Sequence, residues 1–567
     1  MSIASPLGRS LRRHLRVPVP RSGRLWLKVV VKLRALNRRV RELKSWRAGA
    51  VAFLAGVVSA LAMAPFHFWL VLPFTLGMAL WLVDGAGQCE KPIRAAAWRG
   101  WTFGFGYFLA GIYWVGYAFL VNPNAHAWLL PFVAVLFPGG LALFFVFSFV
   151  LAHLVASPGA FRAAGFALAV SAGEWLRGHM FTGFPWNLFG YTWSDSIWLM
   201  QPAALFGIYA LSLLTVLAFV LPATLFSRAG RLDPAWWRAC VTSVVLIGTG
   251  AAYGAWRVPA APSPIHAGEV VRIVQPNVPQ NEKWQREHLS RNWLRLIAPL
   301  GQGLTPGGKP PYTVAIWPEA APPFILAEQP EALEAIGSVL PPGTRLISGS
   351  VQRRDGASGG MDYYNGIDII GDDGKVVESY QKSHLVPFGE YLPLAPLLER
   401  LGITKLTGGQ GGFKSGSGVR SITLSPQSTI GPLICYEIVF SRAVVDRARR
   451  PDWLVNLTDD SWFGPSSGPY QHLGIARLRA VEEGLAVVRA ANTGVSAIID
   501  PYGRVVASIP LGTVGLLQAA VPQKLPQTLY AHGGELVYGL LMVVLAGLIG
   551  GGRWGLLQGQ GSNRMHH

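Results

Sequence analysis

"GPLICYEIVF", residues Gly431–Phe440, sets one cysteine at the end of an apolar run and two polar residues, Tyr436 and Glu437, after it. The run has the length and composition of a buried strand, and the polar pair begins a turn. A strand that ends this way presents its last residue at a sheet edge. Cysteine there has two readings, an inert small hydrophobe in a core or a nucleophile. The residue is scarce: Cys89, Cys240 and Cys435 are the three in 567 residues. Cys89 and Cys240 lie at the edge of, or within, hydrophobic segments. No CxxC spacing occurs, so neither a metal site nor a disulfide framework is expected.

The rest of the chain is apolar. Hydrophobic residues make up 51% and charged residues 14%, and mean hydropathy is +0.34. That profile fits a polytopic membrane protein joined to a soluble domain. The net charge of +19 suggests nucleic acid at first sight, but its distribution argues otherwise. Fourteen of the 49 Lys and Arg residues precede Ala48, with Glu42 as the one acidic residue among them. A basic block beside the first hydrophobic segment reads as a topology and anionic-lipid signal, and no nucleic-acid partner is expected. Arg24–Leu43 fits either a basic amphipathic helix on the membrane surface or a disordered tail. The basic stretch is too long for a cleavable signal peptide, and the first span is expected to be an uncleaved anchor.

Segments able to cross a bilayer need about 20 apolar residues. Seven precede the middle of the chain, at Trp46–Pro65, Phe68–Asp84, Ala97–Val121, Trp128–Ala156, Phe161–Phe181, Ile197–Phe226 and Trp236–Val258. An eighth is Gly534–Gly550. Basic residues gather in the tail, after the second span (Lys91, Arg94, Arg99), at Arg162, and after the sixth (Arg228, Arg231, Arg238). The alternate loops are poor in charge. The positive-inside rule then places both termini in the cytoplasm and Pro259–Leu529 outside. The expected division is a basic tail over 1–45, a seven-span bundle over 46–258 and an outer domain over 259–529. A last span over 530–552 and a cytoplasmic end over 553–567 complete it.

The outer segment reads as strands with at least one helix, one α/β domain. "EVVRIVQPNV", "YTVAIWPEA", "RLISGSVQ", "STIGPLICYE" and "PDWLVNLTDD" are strand candidates. "YYNGIDIIGDDGKVVESY" and "GVSAIIDPYGRVVASI" read as hairpins. "HLGIARLRAVEEGLAVVRAAN", His472–Asn492, has helical apolar spacing.

Three strand ends deliver reactive groups: Glu319 in "AIWPEA", Lys382 in "SYQKSHLVPFGEYLP" and Cys435 in "GPLICYE". They are far apart in sequence and meet only if folding brings them together. A carboxylate can take the thiol proton as attack begins. An ammonium lowers the thiol pKa and stabilises the oxyanion formed when sulfur adds to a carbonyl. Together they make an acyl-transfer apparatus without histidine. Each residue taken singly is more often a core cysteine or a solvated charge.

The contexts "WPEA", "KSHLVPFGEYLP" and "LICYE", followed by "NLTDDSWFG", "QHLGIARLRAVEEG" and "ANTGVSA", resemble the carbon–nitrogen hydrolase, or nitrilase, superfamily. With the flanking spans and "EWLRGHMFTGFPWNLFGY" (Glu174–Tyr191), the whole chain after the basic tail resembles the apolipoprotein N-acyltransferase family. The resemblance implies a Glu319–Lys382–Cys435 triad on an α-β-β-α sandwich carried by a polytopic helical bundle in a bacterial inner membrane. It implies N-acylation of a diacylglyceryl apolipoprotein, with phosphatidylethanolamine as the expected acyl donor and a Cys435 thioester between the two half-reactions. No metal or cofactor is implied. Glu390 is then expected beside the triad, orienting Lys382 or the incoming amine. Tyr436 and Glu437 are expected to support the nucleophile turn. Trp284, Trp462 and Phe463 are expected near the acyl chain or the membrane edge, with Thr182–Trp186 as an outer loop under the site. Glu174 and Arg177 would pair with each other, line a lateral opening or lie at the outer interface. Two alternatives stay open: a membrane-tethered amidase that passes the thioester to water, and a non-enzymatic scaffold.

Overall fold

The computed structural model describes residues 21–155, 159–226, 232–233, 236–303, 310–356, 360–400, 405–406 and 412–562. The first twenty residues of the basic tail, Ala156, Arg228, Arg231 and Arg564 lie outside them. Arg24–Leu43 resolves in favour of a helix, Arg21–Glu42.

Among the described residues, five helices are long and apolar enough to cross a membrane. They are Ser45–Ala62, Trp69–Ala86, Pro123–Leu154, Ala203–Leu225 and Trp236–Arg257. Pro92–Gly111 and Tyr113–Leu120, bent by 52°, add a sixth if counted as one span. Two expected spans form helices that fall short of this measure. Phe161–His179 carries the buried charges Arg162, Glu174 and Arg177, and Leu536–Gly551 is short. Arg99 is not a loop residue. It is buried inside the helix Pro92–Gly111 and donates to the carbonyls of Leu82 and Leu43. Arg162 pairs with the buried Asp84 at 2.8 Å. The outer faces of these helices leave Leu136, Leu143, Val244, Val245 and Val543 exposed, the composition expected where lipid is the solvent.

The later part of the chain forms two six-stranded sheets. One contains β1 (Ile265–Gln275), β2 (Val314–Trp317), β3 (Arg345–Asp355), β4 (Met361–Gly371) and β5 (Val376–Gln381). The other contains β6 (Ile422–Ser425), β7 (Ser428–Ile434), β8 (Trp453–Thr458), β9 (Ala486–Ala491), β10 (Ser496–Ile499) and β11 (Val505–Ile509). The chain then crosses back, and β12 (Gly515–Pro522) completes the first sheet as an antiparallel partner of β1. The orders are β12-β1-β2-β3-β4-β5 and β11-β10-β9-β8-β7-β6. Both expected hairpins, β4–β5 and β10–β11, are present.

Side-chain alternation builds the layers. Ile273, Ile316, Ile347 and Ile367 of the first sheet meet Ile434, Val455, Leu457 and Val488 of the second in one core. The other face of the first sheet packs Ala315, Trp317, Leu346 and Ile370 against the helices Leu289–Ile297 and Pro330–Val339. The other face of the second sheet, with Leu433, Leu454 and Val487, shares a core with the helix Gly468–Glu483 and the apolar bundle. This is a nitrilase-like α-β-β-α arrangement. The helical spacing of His472–Asn492 does not persist. The helix ends at Glu483, Gly484 takes φ +63°, and Ala486–Ala491 is β9. Glycine in the left-handed region is the usual device for closing a helix.

Candidate active site

Cys435 follows the last residue of β7 and opens a short 3₁₀ turn, Cys435–Val439. Its φ is +48°, a left-handed conformation that costs a non-glycine residue about 1–3 kcal/mol and collects at functional sites. Glu319 sits just past β2, and Lys382 just past β5. The Glu319 turn packs against β3 at Gly349, where a Cβ would lie 2.3 Å from the Pro318 carbonyl oxygen. Only glycine permits that approach.

The structure brings the three expected reactive groups to one cavity of about 1520 Å³. Lys382 Nζ lies 3.6 Å from Glu319 Oε1 and 3.0 Å from Glu390 Oε1. Asn365 Nδ2 donates to both carboxylates at 2.7 Å. The backbone N–H of Asp459 donates to Glu319 Oε2 at 2.8 Å, and that of Val386 to Glu390 Oε2 at 2.7 Å. Both carboxylates are thus fixed by donors, with the lysine between them.

Burial raises the Glu319 carboxyl above its ordinary value; Lys382 opposes this, and Glu390 and Asp459 add to it. Burial and the Glu319 charge push the Cys435 thiol well up, with Lys382 opposing. The thiol therefore keeps its proton at rest. Burial alone would pull the Lys382 ammonium down, but Glu390, Glu319 and Cys435 outweigh it and hold it above the usual lysine range. A protonated thiol, a carboxylate and a permanent cation form the set needed for attack on a carbonyl.

The neighbours of Cys435 have separate jobs. Glu437 Oε2 accepts from the backbone N–H of Ile434 at 2.8 Å. Its Oε1 accepts from Ser383 N and Oγ, both at 2.8 Å, from Tyr380 OH at 3.0 Å and from His384 N at 3.2 Å. One buried carboxylate therefore joins the nucleophile turn to the lysine loop. Tyr436 OH donates to the Gly183 carbonyl at 2.9 Å, in the loop Thr182–Trp186. Trp284, Trp462 and Phe463 line the cavity, and Trp284 is half exposed. Phe463 packs on Trp114 with ring centroids 4.4 Å apart. Phe132, Leu136, Phe147 and Phe181, from the apolar helices and their loops, also line the cavity.

Glu174 and Arg177 are both buried, and each binds backbone, with Glu174 Oε2 also accepting from the Ser212 hydroxyl. Glu174 Oε1 accepts from Phe189 N at 2.8 Å, and Arg177 Nη1 donates to the Phe184 and Trp186 carbonyls at 2.6 Å. They brace the loop Phe184–Phe189, and Arg177 also lines the cavity.

Sequence reasoning missed Lys283 and Asn365. Lys283 Nζ donates to Asp459 Oδ2 at 2.7 Å and to the Glu319 carbonyl at 3.1 Å. Asn365 was visible only as a polar residue on the core face of a hairpin strand. Also missed was a fully buried polar group under β8 and β9, made of Asn456, Asp460, His472 and Arg489.

Residues 270–530 match the carbon–nitrogen hydrolase family, and residues 55–221 match the apolipoprotein N-acyltransferase N-terminal domain. The later half of the chain is therefore a carbon–nitrogen hydrolase domain. An apolipoprotein N-acyltransferase of Rhodopseudomonas palustris is 41% identical over 510 residues, covering 89% of this chain and 95% of that protein. One of Bradyrhizobium diazoefficiens is 43% identical over 510 residues, covering 89% and 94%. The chain belongs to the apolipoprotein N-acyltransferase family. Among solved structures, a nitrilase-superfamily member of Saccharomyces cerevisiae is 17% identical at a TM-score of 0.33, covering 47% of this chain and 93% of that chain. An amidase of Nesterenkonia AN1 is also 17% identical, with a TM-score of 0.30 and coverage of 46% and 94%.

Proposed function

We propose that the protein transfers an acyl chain from a phospholipid to the α-amine of an N-terminal diacylglyceryl cysteine, the last step of lipoprotein maturation. One observation carries the reading. Glu319, Lys382 and Cys435 open into the same cavity as Phe132, Leu136 and Phe147 of the apolar helices. Reactive groups and a lipid-compatible wall thus share one space.

In the first half-reaction Glu319 takes the thiol proton as Cys435 sulfur adds to the ester carbonyl of the donor, with phosphatidylethanolamine as the donor. Lys382 stabilises the oxyanion. Collapse breaks the ester C–O bond, and the departing lysophospholipid oxygen takes the proton from Glu319. In the second half-reaction the apolipoprotein amine adds to the thioester and yields its proton to Glu319. The C–S bond breaks, leaving an amide, and the proton returns to sulfur. Trp284, Trp462 and Phe463 contact acyl chain, and Glu390 orients Lys382. Burying an acyl chain is worth about 0.8 kcal/mol per CH₂, so a site seated on the bundle avoids extracting its substrates from lipid. The topology that suits these substrates has eight spans in the bacterial inner membrane and both termini in the cytoplasm. The domain 259–529 then faces the periplasm.

A second reading is a membrane-tethered amidase that passes the acyl group to water; the three reactive groups alone would serve it equally. Purified protein incubated with phosphatidylethanolamine and a diacylglyceryl peptide separates the two. N-acylated peptide is the expected product. Free fatty acid without amide would overturn the transferase reading.

A further inference from the structure

The nucleophile's own carbonyl is held from below by groups that take no part in the scheme above. His472 is fully buried on the helix Gly468–Glu483, and its Nε2 lies 3.3 Å from the Cys435 carbonyl oxygen. Asn456 Nδ2, on β8, reaches the same oxygen at 3.5 Å. Behind them stands Arg489 on β9. Its Nη2 lies 2.7 Å from Asp460 Oδ2 and 3.1 Å from His472 Nδ1, and its Nη1 donates to Asn456 Oδ1. Asp460 Oδ1 lies 2.9 Å from His472 Nδ1 and accepts from Thr458 Oγ1 at 3.0 Å.

These contacts fix the imidazole. A carbonyl oxygen is an acceptor only, so Nε2 must carry a proton to face it. At Nδ1 a donor and an acceptor meet, Arg489 Nη2 at 3.1 Å and Asp460 Oδ1 at 2.9 Å, so the ring is held there whichever of them it pairs with. Burial and the Arg489 charge also depress the imidazole pKa, outweighing Asp460. For Asp460, burial alone would raise the carboxyl, but the Arg489 guanidinium above all overcomes it and keeps it ionised. The charge on Asp460 is thus already matched by Arg489 at 2.7 Å.

The geometry points to His472 as a positioning residue: with a proton on Nε2, it holds the Cys435 carbonyl and with it the left-handed backbone that presents the thiol. Asp460 and Arg489 hold the ring in place through Nδ1, and Arg489 also turns the Asn456 amide so that its N–H₂ faces the same oxygen. The ring further packs on Trp186 and Phe463, at 5.4 and 6.0 Å, both of which line the cavity. This assignment rests on the transferase reading only for its turnover assay.

The test compares His472→Leu, His472→Gln and His472→Asn in the full-length protein. Glutamine can return a terminal N–H to the Nε2 position; asparagine is too short, and leucine donates nothing. Two readouts are taken: the rate of Cys435 alkylation by iodoacetamide, followed by mass spectrometry, and kcat and KM for N-acylation. The expected result is a fall of about 100-fold in kcat for leucine and asparagine, the scale of a small misplacement of a reacting group. The KM for phospholipid should stay within about twofold, and glutamine should recover most of the rate. Alkylation should follow the same order, and that arm needs no substrate assignment. Equal losses in glutamine and asparagine, wild-type rates in leucine, or a loss expressed in KM alone would each overturn the inference. If leucine unfolds, which its thermal midpoint reveals, the glutamine–asparagine pair still decides. If wild-type protein alkylates normally but forms no N-acylated peptide, the transferase reading has failed and the alkylation series still judges His472.

Discussion

The two sheets have the same number of strands and face each other across one core, yet their outer faces lead different lives. The first is covered by its own short helices, Leu289–Ile297 and Pro330–Val339, as in a free-standing domain. The second is covered by Gly468–Glu483 and, beyond it, by the apolar bundle. Glu319 and Lys382 come from the first sheet and Cys435 from the second. The proposed nucleophile, Cys435, therefore belongs to the half anchored on the bundle, and its proposed proton acceptor and cation, Glu319 and Lys382, belong to the half that is not. The site exists only while the two halves stay in register.

The strongest way to break the comparison is to remove one member from each half. Cys435→Ala and Glu319→Gln should each cost about 10⁴-fold or more in N-acylation, and Cys435→Ala should leave no acylated protein in intact-mass spectra. A Cys435→Ser variant with full turnover would sink the thioester scheme. Next comes the carboxylate that ties the halves together. Glu437→Ala strips partners from the buried N–H of Ile434, worth about 1–3 kcal/mol when left unmade, and from the half-buried N–H of Ser383. The expected outcome is a thermal midpoint lower by several degrees together with a fall of about 100-fold in turnover. An unchanged midpoint would mean that the halves are held in register elsewhere.

A smaller effect reads the first-sheet half alone. Glu319 must be ionised to accept the thiol proton, so acylation is lost as pH falls through its raised pKa. The acid limb of kcat/KM should therefore lie above the ordinary carboxylate range. Glu390→Gln removes a negative charge that raises Glu319 and should move that limb to lower pH. A limb that stays put, or moves up, would argue against Glu319 as the base. The smallest effect is on the bundle side. Tyr436→Phe deletes the bond to the Gly183 carbonyl, about 0.5–1.5 kcal/mol, and should slow turnover only a few-fold. A collapse in activity there would make the tether more than a brace.

How much of this could be read from sequence follows the same division. Long apolar runs announce helices by hydropathy alone, so most of the bundle was visible. Phe161–His179 and Gly484 were harder. In the first, buried charges dilute the apolar signal because they are spent on backbone and on Asp84. At the second, a left-handed glycine interrupts a spacing that otherwise continues. That Glu319, Lys382 and Cys435 would share one cavity was legible because each follows the end of a strand in a recognisable context. Arg489 was not: it sits inside the apolar run "AVVRAA", and its partners Asp460 and His472 are 29 and 17 residues away. A polar residue interrupting a buried strand was the one available signal, and it names no partner.

The fivefold grip of Glu437 has a practical consequence for anyone redesigning this enzyme. Its two oxygens draw hydrogens from Ile434 on one side and from Tyr380, Ser383 and His384 on the other. The cysteine turn and the lysine loop are thus a single module although they lie some fifty residues apart. Transplanting the cysteine turn alone into another scaffold would leave Glu437 with one of its five hydrogen bonds, and the lysine loop alone would lose its acceptor. The unit that must be moved is the pair.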